Sequence, residues 1–385
     1  MQQEPQHPQA TLPPPQIDRQ HMHTALALAE RAVGLSDPNP RVGCVLVARD
    51  GRVIGQGHTQ AAGGAHAEVM ALRDAAARGE STAGATAYVT LEPCAHHGRT
   101  PPCCDALIAA RVARVVTALG DPNPLVAGQG LARLRAAGIA TDAGPGAAEA
   151  AELNIGFLSR MVRRRPWVRL KIAGSLDGRT ALPDGRSQWI TGDAARTDGH
   201  AWRKRAGAVL TGIGTVADDD PRLDVRLVPT ERQPLRVVLD PRARIDPAAR
   251  ILQPPGESWI VCAEHVERTD WPAGVSLRPL AAPDGRIDLP AVLDALVQAA
   301  SVNELHVEAG ARLNGAFLQA GLVDEVLLYV APKFIGEGRG LADLGTLAEL
   351  AAAPTFRFHA VTPVGDDLRL LLRPAGRLEA WLPAL

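Results

Sequence analysis

The sequence predicts an α/β protein of two domains, and three observations lead there. The chain has 385 residues, more than a single hydrophobic core usually supports. Its first part runs helix, hairpin, helix, strand, helix, strand, the order of an α/β/α sandwich. Its second part alternates short apolar runs with amphipathic stretches, which implies a mostly parallel sheet with helices on its faces. A hydrophobic content of 46% beside 22% charged residues suits a folded globular chain.

Taken in order, residues 1–20 are rich in Gln and Pro (PQHPQATLPPPQ) and read as a disordered tail. They lack the basic start and apolar run of a signal peptide. His21 to Val33 carries apolar residues at helical spacing. Asp37-Pro38-Asn39-Pro40 must turn, and Val42 to Val47 is a buried strand that returns through an Asp50-Gly51 hairpin to His58. Asn39 and His58 therefore stand at loop ends, where ligands are commonly met. A turn-forming role for Asn39 and a surface position for His58 remain equally open. Val69, Met70, Leu72 and Ala75 to Ala77 mark a helix with His66 and Glu68 at its N-terminal end. Ala87 to Leu91 is a strand stopped by Glu92-Pro93, Cys104 to Ala110 starts a helix, and Val112 to Ala118 is a strand. A second Asp-Pro-Asn-Pro turn precedes a helix with Leu131, Leu134 and Ala137, and Glu149 to Val162 is one more. Arg163-Arg164-Arg165-Pro166 reads as a solvated boundary, giving domains 21–165 and 166–385.

The second domain opens on strand Trp167 to Ala173, then helix Asp193 to Arg205 and strand Ala208 to Thr211. Arg236 to Asp240, Trp259 to Val261, helix Leu289 to Ala300, strand Glu304 to Glu308, helix Ala311 to Ala320 and strand Val323 to Tyr329 follow. Gly212-Ile213-Gly214-Thr215-Val216-Ala217 fits the G-x-G-x-x-A form of a pyrophosphate turn, but Asp218-Asp219-Asp220-Pro221 ends it at once. The Glu308 to Gly315 run is better placed, with a strand ending where a helix begins.

The chemistry concentrates in Thr90 to Cys104, TLEPCAHHGRTPPCC, preceded by His66-Ala67-Glu68. One imidazole and two thiolates make the three-ligand set of a catalytic zinc, whose fourth position is kept for water. The metal lowers that water's pKa toward neutrality, and a carboxylate beside it can shuttle the proton. His-x-Glu followed by Pro-Cys and a later Cys is the pattern of zinc nucleobase deaminases. In this reading His66, Cys94 and Cys103 hold the metal and Glu68 is the general acid/base. Cys104 competes with Cys103 for the third place. Alternatively, Cys104 or His96 completes a four-ligand structural zinc, which leaves Glu68 without a role. Eight residues separate Cys94 from Cys103 where the general pattern has two, and the polar insert AHHGRTPP reads as a loop over the substrate.

That long spacing resembles the riboflavin-biosynthesis deaminases. With the words DPNPRVG, GAHAEV, YVTLEPCAHHGRTPPCCDALI, KIAGSLDGRTA, SQWITG, ADDDPRLDVR, HVEAG and YVAPK, the chain resembles the bifunctional riboflavin-biosynthesis deaminase/reductase family from about His21 onward. The resemblance implies a cytidine-deaminase-like domain followed by a dihydrofolate-reductase-like domain that uses NADPH. It implies removal of an amine from a diamino-pyrimidinone ribosylamine phosphate, then reduction of the ribose to a ribityl chain. By the same resemblance, Asn39, His58, His96 and Arg99 lie in the deaminase substrate loops. Ala173, Trp189, Thr215, Asp219, Gly310, Ala311, Arg312, Leu313, Asn314, Gly315 and Ala316 would contact the nucleotide. Ser187, Arg203, Leu223, Arg226 and Glu308 would contact substrate, the two arginines suiting its phosphate. Lys171 would assist the hydride step, or else be an edge-strand lysine. A further nucleotide contact of the family falls near Pro241, which lacks a donor side chain. The family also implies a homo-oligomer formed through the reductase half.

Two other readings compete. One is a zinc deaminase whose second half only binds or dimerises; the other is a nucleic-acid-editing protein. A net charge of −1 and 3% aromatic residues argue against the latter. Five cysteines make no disulfide framework, and no stretch approaches a membrane span, so a reducing, cytoplasmic setting is expected.

Overall fold

The structure is a computed structural model that describes residues 15–96, 101–123, 127–263 and 268–376. Its contacts divide the chain into two units, one ending at Leu153 but without Val33–Pro40, the other formed by Val33–Pro40 with Asn154 onward.

The first unit runs α1 (Pro15–Glu30), β1 (Gly43–Val47), β2 (Val53–His58), α2 (Ala67–Ala77), β3 (Thr86–Val89), α3 (Cys103–Ala109), β4 (Arg114–Thr117), α4 (Gln129–Ala136), β5 (Ala140–Ala143) and α5 (Ala147–Leu153). The strands form one sheet in the order β2-β1-β3-β4-β5. β1 is antiparallel to both neighbours, while β3, β4 and β5 are parallel. Glycines let the helices lie close on the sheet: a Cβ on Gly43 would stand 1.9 Å from the Ala25 carbonyl of α1, and one on Gly57 2.5 Å from the Ala67 carbonyl of α2. One expectation needs correcting. The tail expected over residues 1–20 gives way to helix at Pro15, because Asp18 is tied down, accepting from the Tyr88 hydroxyl at 2.7 Å and from Arg114 at 2.9 Å. A Gln- and Pro-rich composition hides that anchor.

The second unit runs α6 (Ile155–Arg163), β6 (Trp167–Ser175), β7 (Arg179–Ala181), α7 (Asp193–Arg205), β8 (Ala208–Gly212), α8 (Ile213–Asp219), β9 (Leu235–Leu239), β10 (Ser258–Cys262), β11 (Val275–Pro279), α9 (Leu289–Ala300), β12 (Glu304–Glu308), α10 (Ala311–Gln319), β13 (Glu325–Ala331), β14 (Arg339–Gly340), β15 (Phe356–Val364) and β16 (Asp367–Pro374). Nine strands form a sheet ordered β11-β10-β9-β8-β12-β6-β13-β16-β15. The expected parallel sheet covers β11 to β13, and an antiparallel hairpin, β15 and β16, is added at one edge.

The two-residue period of a strand explains the unit's unusual interior. Val168, Leu170 and Ile172 of β6 and Leu305 and Val307 of β12 join an apolar core with Val292, Leu293 and Leu296 of α9 and Phe317 of α10. The intervening residues pair across the strands as Arg169 with His306 and Lys171 with Glu308, so the opposite face is charged. Arg169, 1% exposed, bonds Glu304 and Glu325 and stacks over Trp202 of α7. A buried ion pair of this kind is weak evidence for stability, but its loss leaves an uncompensated charge.

The contact units divide at a different place from the expected domains. A single helix over Glu149 to Val162 and a break at residue 165 were expected; the helix instead breaks at Asn154, which heads α6. α6 stays with the second unit because Gly156 lies against Asn303 and Glu304 (a Cβ there would come within 2.3 Å of Glu304) and Arg160 donates to Asn303. Val33–Pro40 joins the same unit: Asn303 donates to Asp37 at 3.0 Å and, with Arg160, to the Pro38 carbonyl. Among the described residues no helix is long and apolar enough to cross a membrane.

Candidate active sites

In the first unit, His66 immediately precedes α2, Cys94 lies in the loop after β3, and Cys103 opens α3. The imidazole and the two sulfurs lie within 4.8 Å of one another, with His66 Nδ1 3.2 Å from Cys103 Sγ and 3.6 Å from Cys94 Sγ. The Cys103 amide donates to Cys94 Sγ at 3.3 Å. One nitrogen and two sulfurs at this spacing fit a zinc ion with one position left open. Cys104 is buried outside this group, its thiol pushed up by burial. The bond from Cys103, with the His66 bond and charge beside it, outweighs burial and holds Cys94 down at about 4, a thiolate ready for a metal. His66 is raised, chiefly by its bond to Cys94.

Glu68 stands in the first turn of α2, 4% exposed. Burial first, and then the Cys94 charge, push its carboxyl up to about 7, the range of a group that takes and returns protons at neutral pH. A second carboxylate shapes the ligand loop. Glu92, also 4% exposed, accepts from the amides of Asp121, Gly128 and Leu131 at 2.9 to 3.2 Å. The Pro93 carbonyl meets Gly130 so closely that a Cβ there would stand 1.9 Å away. The sequence shows Glu92 only as a strand end, since its partners lie 29 to 39 residues away.

In the second unit a cluster forms at the carboxyl ends of the parallel strands, where open α/β sheets bind their ligands. Lys171 Nζ of β6 lies 3.4 Å from Glu308 Oε2, and Arg203 of α7 binds both oxygens of Glu308. Burial works to raise Glu308, but the charges of Arg203 and Lys171 outweigh it and hold the carboxyl well below its usual range. Arg203 also donates to the Asp224 carbonyl at 3.1 Å, and Arg226 donates to the Asp224 carboxylate at 2.6 Å. His200 Nδ1 accepts from the Arg226 amide at 3.2 Å and is held down to about 4 by burial and by the two arginines. Asp224 and His200 were missed in the sequence; the alternation Arg222, Asp224, Arg226 was the one available signal.

Ser187 donates to Asp219 at 3.2 Å, and Leu223, 4% exposed, takes a φ of 50°. Trp189 is 60% exposed beneath the Arg196 guanidinium. Ala173 pairs with Tyr329 in the sheet. Gly310 precedes α10, which carries Ala311, Arg312, Leu313, Asn314, Gly315 and Ala316. Thr215 Oγ1 lies 3.8 Å from where a Cβ on Gly310 would stand, and no atom comes within 4 Å of one on Gly214. Such open backbone, with the buried and unpartnered Thr211 Oγ1 and Asn314 Oδ1 nearby in sequence, suits a dinucleotide. Gly315 has another duty: a Cβ there would strike the Asp343 carbonyl at 1.8 Å.

The other deaminase substrate positions are more scattered. His58 ends β2 opposite Gly43, His96 is exposed two residues after Cys94, and Asn39 sits in the Ser36–Asn39 turn of the segment packed with the second unit. Arg99 lies outside the described residues.

Two family models match the chain: the cytidine and deoxycytidylate deaminase zinc-binding region over residues 15–119 and the RibD C-terminal domain over residues 166–370. The riboflavin biosynthesis protein RibD of Escherichia coli K12 is 49% identical over 368 residues, covering 92% of this chain and 99% of that one. The RibD of Haemophilus influenzae is 43% identical, covering 92% and 97%. Among solved structures, Acinetobacter baumannii RibD superposes with a TM-score of 0.85 at 43% identity, covering 94% of this chain and 100% of that one. A diaminohydroxyphosphoribosylaminopyrimidine deaminase/5-amino-6-(5-phosphoribosylamino)uracil reductase from Thermotoga maritima gives 0.84 at 33% identity, covering 94% and 99%.

Proposed function

The chain belongs to the RibD family of riboflavin-biosynthesis proteins, bifunctional deaminases and reductases that work with zinc and a nicotinamide cofactor, and from that premise we propose how its own residues divide the two reactions. The observation that carries the reading is the closure of His66, Cys94 and Cys103 within 4.8 Å beside a buried Glu68, in a chain whose second unit gathers Lys171, Arg203 and Glu308.

For deamination, His66, Cys94 and Cys103 would hold zinc, whose Lewis acidity makes water a usable nucleophile near neutral pH. Glu68 would take one proton from that water and pass it to the ring nitrogen, then take the second from the added hydroxyl and pass it to the leaving amine. Ammonia departs from 2,5-diamino-6-(5-phosphoribosylamino)pyrimidin-4-one and a carbonyl replaces it. In this reading Asn39, His58, His96 and Arg99 contact the substrate.

For reduction, Ala173, Trp189, Thr215, Asp219 and the Gly310–Ala316 run would hold NADPH, which supplies the hydride. The acceptor is the first ribose carbon of 5-amino-6-(5-phosphoribosylamino)uracil. Glu308 is held ionised and anchors the Lys171 ammonium, which donates the proton needed as the sugar ring opens. Arg203 and Arg226, bridged through Asp224, suit the sugar phosphate. Ser187 and Leu223 line the same substrate position. The reading includes a cytoplasmic enzyme that pairs with further copies through its second unit, whose edge strand β15 exposes Phe358 and Val361.

A coupled assay on zinc-loaded enzyme tests the whole. Given the diamino-pyrimidinone and NADPH, it should release ammonia and consume NADPH together. Ammonia alone would leave a monofunctional deaminase.

A further inference from the structure

We propose, resting on the reading of His66, Cys94 and Cys103 as a zinc site, that Glu92 and Arg133 are positioning residues of the deaminase. They fasten helix α4, which carries none of the three ligands, across both cysteine segments and so keep the thiolates at zinc-binding spacing. The general nucleobase-deaminase pattern puts two residues between its cysteines, so one turn fixes their separation. Here eight residues intervene, and a connection of that length does not by itself fix the distance between its ends. Local bonds bring the pair together. The Cys103 amide donates to Cys94 Sγ at 3.3 Å, and the Cys104 amide donates to the Cys94 carbonyl at 3.3 Å. The trio thus assembles from local structure, and α4 governs how firmly it is kept.

The hold begins just before Cys94. The buried Glu92 carboxylate accepts from the Gly128 amide at 2.9 Å and the Leu131 amide at 3.2 Å. These amides belong to the cap and first turn of α4, where the helix offers them no carbonyl, and a negative group suits that end of the helix dipole. Gly130 closes the contact: a Cβ there would stand 1.9 Å from the Pro93 carbonyl and 3.3 Å from Glu92 Cγ, so the helix backbone lies directly on the ligand segment. The wholly buried Leu134 anchors the helix from below.

The same helix then reaches past Cys94 and past Cys103. Arg133 donates to the Ala95 carbonyl at 3.3 Å, and its guanidinium pairs with Asp105 of α3 at 2.7 Å. One side chain therefore ties the segment leaving Cys94 to the helix that Cys103 opens. Arg133 and Asp105 are 44% and 35% exposed, and pairs in such surroundings contribute little to stability. What the contact supplies is direction, because a planar guanidinium holds two partners in a fixed relation. Sequence spacing could not show it, since Arg133 lies 38 residues from Ala95 and 28 from Asp105.

The test reads the metal and not the reaction. The full chain is loaded with zinc, mixed with excess chromogenic chelator, and timed as it releases the ion. A cobalt(II)-loaded sample reports thiolate geometry through its sulfur-to-metal charge-transfer band. Arg133→Ala should release zinc about tenfold faster than wild type, as expected when a group that orients a metal ligand is removed. It should also alter the cobalt band, while Tm moves by no more than about 3 °C. Arg133→Lys, which can reach only one of the two partners at a time, should fall between. Glu92→Gln, which turns an N–H toward amides that need an acceptor, should release zinc faster still. The control is Arg78→Ala, which removes an equally exposed pair with Asp74 on α2, at 47% and 32%; its release should stay within about twofold of wild type. Equal release and an unchanged cobalt band in wild type and Arg133→Ala overturn the proposal. So does an acceleration that Arg78→Ala matches, since that marks general loosening of the unit. A wild type that takes up no zinc defeats the metal reading itself, which is a different result.

Discussion

Glu68 in the first unit and Glu308 in the second are the same side chain, each largely withdrawn from water, yet they end in opposite states. Glu68 has the negative Cys94 beside it and no cation strong enough to offset desolvation, so its carboxyl rises to about 7. Glu308 suffers the same desolvation but is gripped by Arg203 and Lys171, and it falls well below the ordinary range. Burial therefore pushes both carboxyls up, and the neighbouring charges decide whether that push stands or is outweighed. The consequence is a division of labour: Glu68 can hold and release a proton during a catalytic cycle, whereas Glu308 is a permanent anion that fixes other groups in place.

The largest expected effect falls on the metal that Glu68 would serve. Cys103→Ser should lose bound zinc and with it ammonia release, while Cys104→Ser should keep about one zinc per chain. Metal analysis alongside the deaminase assay decides between them, and equal loss in both would put the third ligand back in question. Next comes the proton shuttle: Glu68→Gln should keep its zinc but slow ammonia release by about 10³-fold. NADPH oxidation with pre-deaminated substrate should continue in that variant, and its loss would mean the two sites are not independent.

The comparison is sharpened at Glu308 by stability instead of rate. Glu308→Ala leaves Arg203 and Lys171 buried without their anion, and should cost about 3–5 kcal/mol in urea unfolding of the second unit. Glu308→Gln, which keeps the shape and part of the hydrogen bonding, should cost less. The pH dependence has a definite sign. Because the folded pKa lies below the unfolded one, this stabilisation is complete above about pH 4.3 and disappears only as pH falls through the folded value. The stabilisation from Glu308 should thus be present and constant between pH 5 and 8, and a difference between wild type and Glu308→Gln that varies across that window would contradict the assignment.

Much of this molecule can be read before it is folded. The His66-Ala67-Glu68 triplet, Pro93-Cys94 and Cys103 are close enough in sequence, and flanked by plain enough helix and strand signals, that the metal trio needs little more than local structure to form. The parallel sheet of the second unit is likewise visible in its apolar runs, with helix Leu289–Ala300 and strand Glu304–Glu308 matching their expected bounds. What escaped were pieces whose pattern is set by distant partners. β15 and β16 are an exposed edge hairpin without a clean apolar alternation. The start of α1 depends on Asp18 finding Tyr88 and Arg114, 70 and 96 residues on. The unit boundary depends on Gly156 and Arg160 meeting the start of β12.

Spacing and residue type by themselves brought out most of the order of the elements and the candidate zinc ligands His66, Cys94 and Cys103 with Glu68 beside them. Which buried carboxylate is protonated, which is locked as an anion and which arginines face outward were decided by tertiary structure alone. Each depends on an electrostatic partner or a burial environment that the fold brings from far along the chain: Lys171 and Glu308 meet across 137 residues, and Arg203 and Glu308 across 105. Electrostatic energy depends on distance in space, and in a doubly layered sheet that distance has almost no relation to separation along the chain.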